Sequence, residues 1–250
     1  MTAKEGKRNL GAACFCIPFS CDQIERVENL RLLMQHLTSN LSATFLISCQ
    51  GPADLAVCRE YGLHSLGDTH LIDCGIDDNR IHKSALINRA HEYFGRLGTF
   101  DVFFIQDVDI FCDPDDLHSA CDLVRAGKFD TVLGYDGSVI NVRLRRRELD
   151  FSNDNLTVLN FCDTRLYVGG CVCVPFELFG KIGRMDESFV GYGFEDYDLW
   201  LRLATGRRVR KMNMPCYHID HQKKPVNLNM FEKNKGIFAA LKKARENTAA

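Results

Sequence analysis

Short apolar runs alternate with helical patterns through the first 135 residues or so, and this alternation restricts the chain more than any other feature. Ala12–Pro18, Ala43–Ser48, His70–Asp73, Val102–Ile105 and Thr131–Gly134 read as strands. Ile24–Leu37, Asp54–Tyr61 and Lys83–Phe94 read as helices, with apolar residues at helical spacing. Pro114-Asp115-Asp116 opens a further helix, and acids in its first turn complement the helix dipole. Strand–helix alternation of this kind builds one sheet with helices over both faces. The fold class is therefore α/β, with a mostly parallel central sheet flanked by helices. The 250 residues, 46% of them hydrophobic, suffice for a single domain over 1–250.

The regularity fades between Asp136 and Asp163. Arg143, Arg145, Arg146 and Arg147 crowd this stretch and read as a solvated edge strand or hairpin. A basic lip for an anionic acceptor or a lipid phosphate is the alternative. Leu166–Val174 is strand-like, and Glu177–Ile182 and Asp196–Leu203 are helical. Phe231–Arg245 is a basic amphipathic helix, read as a packing or surface helix rather than an anchor.

Composition removes several classes of function. A formal net charge of −2 gives no electrostatic reason to bind nucleic acid. No apolar run approaches the roughly 18–20 residues that span a bilayer. Met1 to Asn9 is polar and lacks the apolar core of a signal peptide. A cytoplasmic protein is expected, with peripheral membrane association allowed. The N-x-S/T sequons at Asn40 and Asn155 keep a secretory lumen open for a chain trimmed of an anchor. Twelve cysteines fall mostly inside or at the ends of apolar runs, with no C-x-x-C pair, so they read as small core residues.

The chemistry concentrates in three places. Phe103-Phe104-Ile105-Gln106-Asp107-Val108-Asp109 carries a buried strand into two carboxylates, where open α/β sheets bind ligands. Two such acids repel unless a cation lies nearby, and hard oxygen ligands suit Mg²⁺ or Mn²⁺. Gly191-Tyr192-Gly193-Phe194-Glu195-Asp196-Tyr197-Asp198 then places acids at a helix start behind a glycine-flanked aromatic. One of these acids can cap the helix, which would account for Asp198. Glu195 and Asp196 cannot both cap, and a free carboxylate there suits a general base. Val168-Gly169-Gly170 gives a flexible approach to the same region. Finally, Cys216-Tyr217-His218-Ile219-Asp220-His221 sets two imidazoles three residues apart at a strand end, and a histidine beside a carboxylate favours Mn²⁺ over Mg²⁺.

Taken in order, these residues resemble the nucleotide-sugar glycosyltransferases of the GT-A fold, and most closely the β-1,4-galactosyltransferase group. Cys16-Ile17-Pro18-Phe19 looks like that group's first strand and its P-F end. Ile81 to Asn88 looks like its F-N-R-A-x-L-x-N stretch, and Phe104 to Ile110 like its F-x-x-x-D-V-D segment. Gly191 to Asp198 resembles W-G-W-G-G-E-D-D-D, and His218 to Lys224 resembles the metal-binding histidine with basic residues after it. The likeness runs over roughly residues 12–235. The chain departs from the pattern where Ser20, Cys21 and Asp22 stand for the basic residue after P-F, Phe194 for a glycine, and Tyr192 for a tryptophan.

The resemblance implies a nucleotide-binding half over about 10–135, an acceptor and catalytic half over about 136–235, and a terminal helix over about 231–245. It implies Asp109, His221 and His218 as ligands of Mn²⁺, with Mg²⁺ as the alternative. Asp196 would be the catalytic base with Glu195 supporting it. Pro18, Phe19, Lys83, Asp107, Gly170 and Tyr192 would contact the donor or the sugars. The expected reaction moves a hexose, galactose or N-acetylgalactosamine first, from a UDP-sugar to a hydroxyl of a glycan, glycolipid or glycoprotein, with inversion. A retaining GT-A enzyme and a catalytically silent nucleotide-sugar-binding module are the rival readings. A nucleotidyltransferase is a weaker one, because no Gly-rich basic loop follows the first strand.

Overall fold

Eleven strands and seven α-helices follow one another in a computed structural model that describes residues 6–21, 23–148, 150–152, 154–163, 167–221 and 227–249. The first half runs β1 (Arg8–Phe19), α1 (Ile24–Asn40), β2 (Leu41–Cys49), α2 (Pro52–Glu60), β3 (Asp68–Asp73), α3 (Lys83–Leu97), β4 (Val102–Gln106), β5 (Ile110–Phe111), α4 (Pro114–Arg125) and β6 (Thr131–Leu133). The second half runs β7 (Val139–Leu144), β8 (Leu156–Cys162), β9 (Cys171–Pro175), α5 (Phe176–Lys181), α6 (Glu195–Ala204), β10 (Val209–Lys211), β11 (Cys216–Ile219) and α7 (Leu228–Ala249).

Seven strands form the main sheet in the order β10-β6-β9-β4-β1-β2-β3. All run the same way except β9, which pairs antiparallel with both β4 and β6. Every residue of β4 is buried, as a strand covered on both faces requires. Phe104 of β4 stacks on Phe15 of β1, with ring centroids 4.2 Å apart. Burying each such ring contributes about 1.5–3 kcal/mol of transfer free energy. Helix α1 covers the sheet with Val27, Leu30, Leu33, Met34 and Leu37, all essentially buried. Helix α4 starts where Asp113 accepts hydrogen bonds from the Asp115 and Asp116 amides, with Pro114 in its first turn. Nine of the twelve cysteines are buried.

Four strands make a second, smaller sheet in the order β5-β11-β7-β8, which the sequence pattern does not announce. Strand β4 leaves the main sheet and re-enters this one as β5 after only three residues, Asp107-Val108-Asp109. The two acids therefore sit where the sheets meet. Strand β9 is shorter than the expected Leu166–Val174: residues 167–170 are not strand, and 164–166 lie outside the described residues. The arginine-rich stretch is the edge hairpin β7–β8. Three of its four arginines have carboxylate partners: Arg143 with Asp220, Arg146 with Asp150, and Arg147 with Glu28. Arg145 donates to the Thr157 hydroxyl. The terminal helix is longer than read from the sequence and packs inward through one face.

Candidate active site

Three elements fix the turn that carries the acids. Gln106, fully buried at the end of β4, donates its side-chain amide to the carbonyls of Asp107 (2.9 Å) and Ile110 (2.7 Å). The Asp107 amide donates to the Gly170 carbonyl at 2.7 Å. The Ile219 amide of β11 donates to the Asp109 carbonyl at 2.9 Å. Backbone register then does the rest, for His218 stands opposite Ile110 on one side and Asn141 on the other.

Asp109, His218 and His221 converge as a result. His221 Nε2 lies 3.0 Å and His218 Nε2 3.6 Å from the same Asp109 oxygen, Oδ2. Their candidate ligand atoms all lie within 4.8 Å of one another. Two imidazoles and one carboxylate gathered this closely are the donor types that would hold a first-row divalent cation. His218 Nδ1 is 2.7 Å from the Asn141 side-chain oxygen, which fixes the ring with Nε2 facing Asp109. Burial pushes the Asp109 carboxyl up, but its bonds to His218 and His221 outweigh this and hold it well below the usual carboxylate range.

A second cluster lies on the other side of the turn. Lys83, at the start of α3, donates to Asp107 Oδ2 at 2.9 Å and to both Asp196 oxygens at 3.0 and 3.1 Å. Glu195 is 4.0 Å from the same nitrogen. Burial works against the Lys83 charge, yet Asp107, Asp196 and Glu195 together raise its pKa well above the ordinary value. Burial raises Asp107 to about 6 against the pull of Lys83. Burial and the neighbouring Asp196 raise Glu195 to about 7. One ammonium thus faces three carboxylates, and the surplus is negative, as a cation-binding pocket needs.

Two glycines make room for this packing. A Cβ on Gly169 would stand 2.1 Å from Asp196 Oδ2, and one on Gly170 3.0 Å from Ile110 Cγ1. Gly170 also has φ +80°, a left-handed backbone. The Tyr135 hydroxyl donates to the Gly169 carbonyl at 2.7 Å and holds the loop down.

The capping role foreseen for the acids of α6 is not what the structure has. The N-cap is Phe194, in a left-handed conformation with φ 73°, and no side chain caps the helix. Asp198 is fully buried instead, taking Arg202 at 2.8 Å and Arg245 at 2.7 Å. Tyr192 is 65% exposed at the lip, with its ring stacked toward Phe231. Pro18 and Phe19 are buried at the end of β1, so Phe19 offers no exposed surface. Lys223 and Lys224, the basic residues after the histidines, lie outside the described residues. Sequence reasoning missed Asn141 and the contact of Gly169 with Asp196. No spacing signals the first; the glycine pair next to an apolar strand signals the second.

Comparison with known proteins fits this geometry. Residues 162–222, which include the glycine pair, the Glu195-Asp196 loop and both histidines, match the family model described as the N-terminal domain of galactosyltransferase. No curated protein sequence matches the chain. Among solved structures, the mannosyltransferase PcManGT from Pyrobaculum calidifontis, in complex with GDP-Man and Mn²⁺, superposes with a TM-score of 0.53 at 13% identity. That match covers 85% of this chain and 58% of the other, so this chain spans less than two thirds of that protein. A Drosophila β-1,4-galactosyltransferase 7 mutant in complex with manganese, UDP-Gal and xylobiose gives 0.51 at 16% identity, covering 89% and 78%. S. aureus TarS gives 0.53 at 12% identity, covering 84% and 60%. The fold is that of the GT-A glycosyltransferases, and the family match together with this fold supports a glycosyltransferase.

Proposed function

We propose that this chain transfers a hexose from a UDP-sugar to a hydroxyl of a glycan, glycolipid or glycoprotein, with inversion and with Asp196 as base. The observation that carries the reading is Lys83, which ties Asp107 of the D-V-D turn to Asp196 of the Glu195-Asp196 pair beside a ready ligand triad. Galactose and N-acetylgalactosamine are the first candidates, because the family match is to a galactosyltransferase domain.

Asp109, His218 and His221 would hold Mn²⁺, with Mg²⁺ as the weaker fit for two imidazoles. Such an ion supplies neutralisation for a departing diphosphate. Lys83, buried beside Asp196, donates to both oxygens of that carboxylate and orients it. The acceptor hydroxyl gives its proton to an Asp196 oxygen while its own oxygen bonds to the anomeric carbon. The bond from that carbon to the diphosphate oxygen breaks, and its electron pair leaves with UDP. Glu195, titrating near neutral pH, can donate to or accept from an acceptor hydroxyl. Closing donor and acceptor into line contributes much of the remaining acceleration.

The test is nucleotide release from a panel of UDP-sugars, with GDP-mannose as a contrast, in the presence of Mn²⁺ or EDTA. One UDP-sugar should release UDP only with the metal, and product NMR should show the anomeric configuration inverted. Asp196→Asn should lower kcat by about 10²–10⁴-fold while Mn²⁺–UDP still binds. A product of retained configuration, or an Asp196→Asn protein as fast as the wild type, overturns the assignment of the base.

A further inference from the structure

The C-terminal helix supplies no group to the transfer step, yet its inward face meets one segment of the site. Phe231, Asn234, Phe238, Leu241 and Arg245 form its inward stripe, at helical spacing. Asn234 is fully buried, and its amide nitrogen donates to the carbonyls of Val190 at 3.0 Å and Tyr192 at 3.3 Å. The Phe231 ring fills the space beside Gly193, where a Cβ would lie 3.0 Å from it. Phe194 packs against Phe231 and Phe238, with ring centroids 5.2 and 5.6 Å away. Arg245 reaches the buried Asp198. These contacts bracket Glu195 and Asp196 from both sides of the sequence.

Phe194 itself is held in a left-handed backbone, which a bulky side chain adopts only where its surroundings fix it. The turn at Phe194 is also what directs Glu195 and Asp196 toward Lys83. Two aromatic rings of α7 hold that turn, and the Asn234 amide holds the carbonyls just before it.

We propose that α7 is a positioning element for the base: through Asn234, Phe231 and Phe238 it clamps the Val190–Phe194 turn so that Asp196 meets Lys83. The proposal rests on the transferase reading. It assigns Asn234 and Phe194 as positioning residues that never touch substrate.

The full chain carrying Asn234→Ala or Phe194→Gly tests this. Glycine accepts the left-handed conformation freely, so the second variant removes the anchor without adding strain. Both should lose about tenfold to a hundredfold in kcat, the scale of a small misplacement of a reacting group. Mn²⁺–UDP affinity, measured by calorimetry, should stay unchanged, since the triad lies on other elements. Lys233→Ala, on the exposed face of α7, should keep wild-type kcat. Amide exchange across 191–198 reads the clamp without turnover and should quicken in Asn234→Ala. A folded Phe194→Gly or Asn234→Ala protein with wild-type kcat, or with unchanged exchange, overturns the proposal. A wild-type chain that releases no nucleotide overturns the transferase reading instead, and the exchange result then decides the role of α7 alone.

Discussion

Lys83 is the residue on which the local electrostatics turn. Its ammonium bonds to Asp107 and Asp196 and lies 4.0 Å from Glu195, and it favours the ionised forms of Asp107 and Glu195 against burial. Glu195 is the least compensated of them. Its folded pKa of about 7 stands above the ordinary glutamate value of about 4.5, so the protonated form is the one that folding favours. Stability from this group is present below its unfolded pKa and is lost as pH rises through about 7. Metal-free Glu195→Gln should therefore gain melting temperature relative to the metal-free wild type between pH 5 and pH 8. A gap that stays constant over that range contradicts the assignment. Gly169 makes a steric prediction at the same scale. With a Cβ 2.1 Å from the Asp196 carboxylate, Gly169→Ala has to displace the base. It should cost about a hundredfold in kcat with Mn²⁺–UDP affinity retained, as kinetics and calorimetry on one preparation will show.

At the scale of elements, the metal site is a product of strand register. Residues 109, 218 and 221 come together because β11 lies between β5 and β7. The same register places Asn141 beside His218, where its side-chain oxygen fixes the imidazole. Asn141→Ala should weaken Mn²⁺ binding about 10–100-fold, measurable by metal titration, without altering the three ligands. Most elements of the main sheet were legible in the sequence. Buried strands such as Val102–Gln106 are continuous apolar runs, and helices such as Lys83–Leu97 carry their apolar residues at helical spacing. The second sheet was not legible. Its strand β5 is two residues long, and β8 is an exposed edge whose residues show no alternation of burial. The reversed direction of β9 was also hidden, because Cys171–Pro175 is as uniformly apolar as a parallel strand. The acids of α6 misled for a different reason. A carboxylate near a helix start reads as a cap from sequence, whereas Asp198 is claimed by Arg202 and by Arg245 from 47 residues away.

Across the whole molecule, the start of α3 supplies Lys83, the turn between the two sheets supplies the D-V-D acids, β11 and the residues just after it supply the histidines, and α6 supplies the carboxylate pair. None of these groups is near the others in sequence: Lys83 reaches Asp196 across 113 residues, and Asp109 meets His221 across 112. The motifs were legible individually; the contact that joins them, through a single lysine, was not, since a lysine at a helix start is ordinary on any surface. Among the described residues, no helix is long and apolar enough to cross a membrane.

Calorimetric titration of Mn²⁺–UDP into Asp109→Ala and Asp196→Asn side by side separates the metal triad from the base. Asp109→Ala should lose binding, while Asp196→Asn should bind like the wild type and fail only in transfer. Wild-type affinity in Asp109→Ala would contradict the metal assignment, because the triad would then hold no metal that the nucleotide needs.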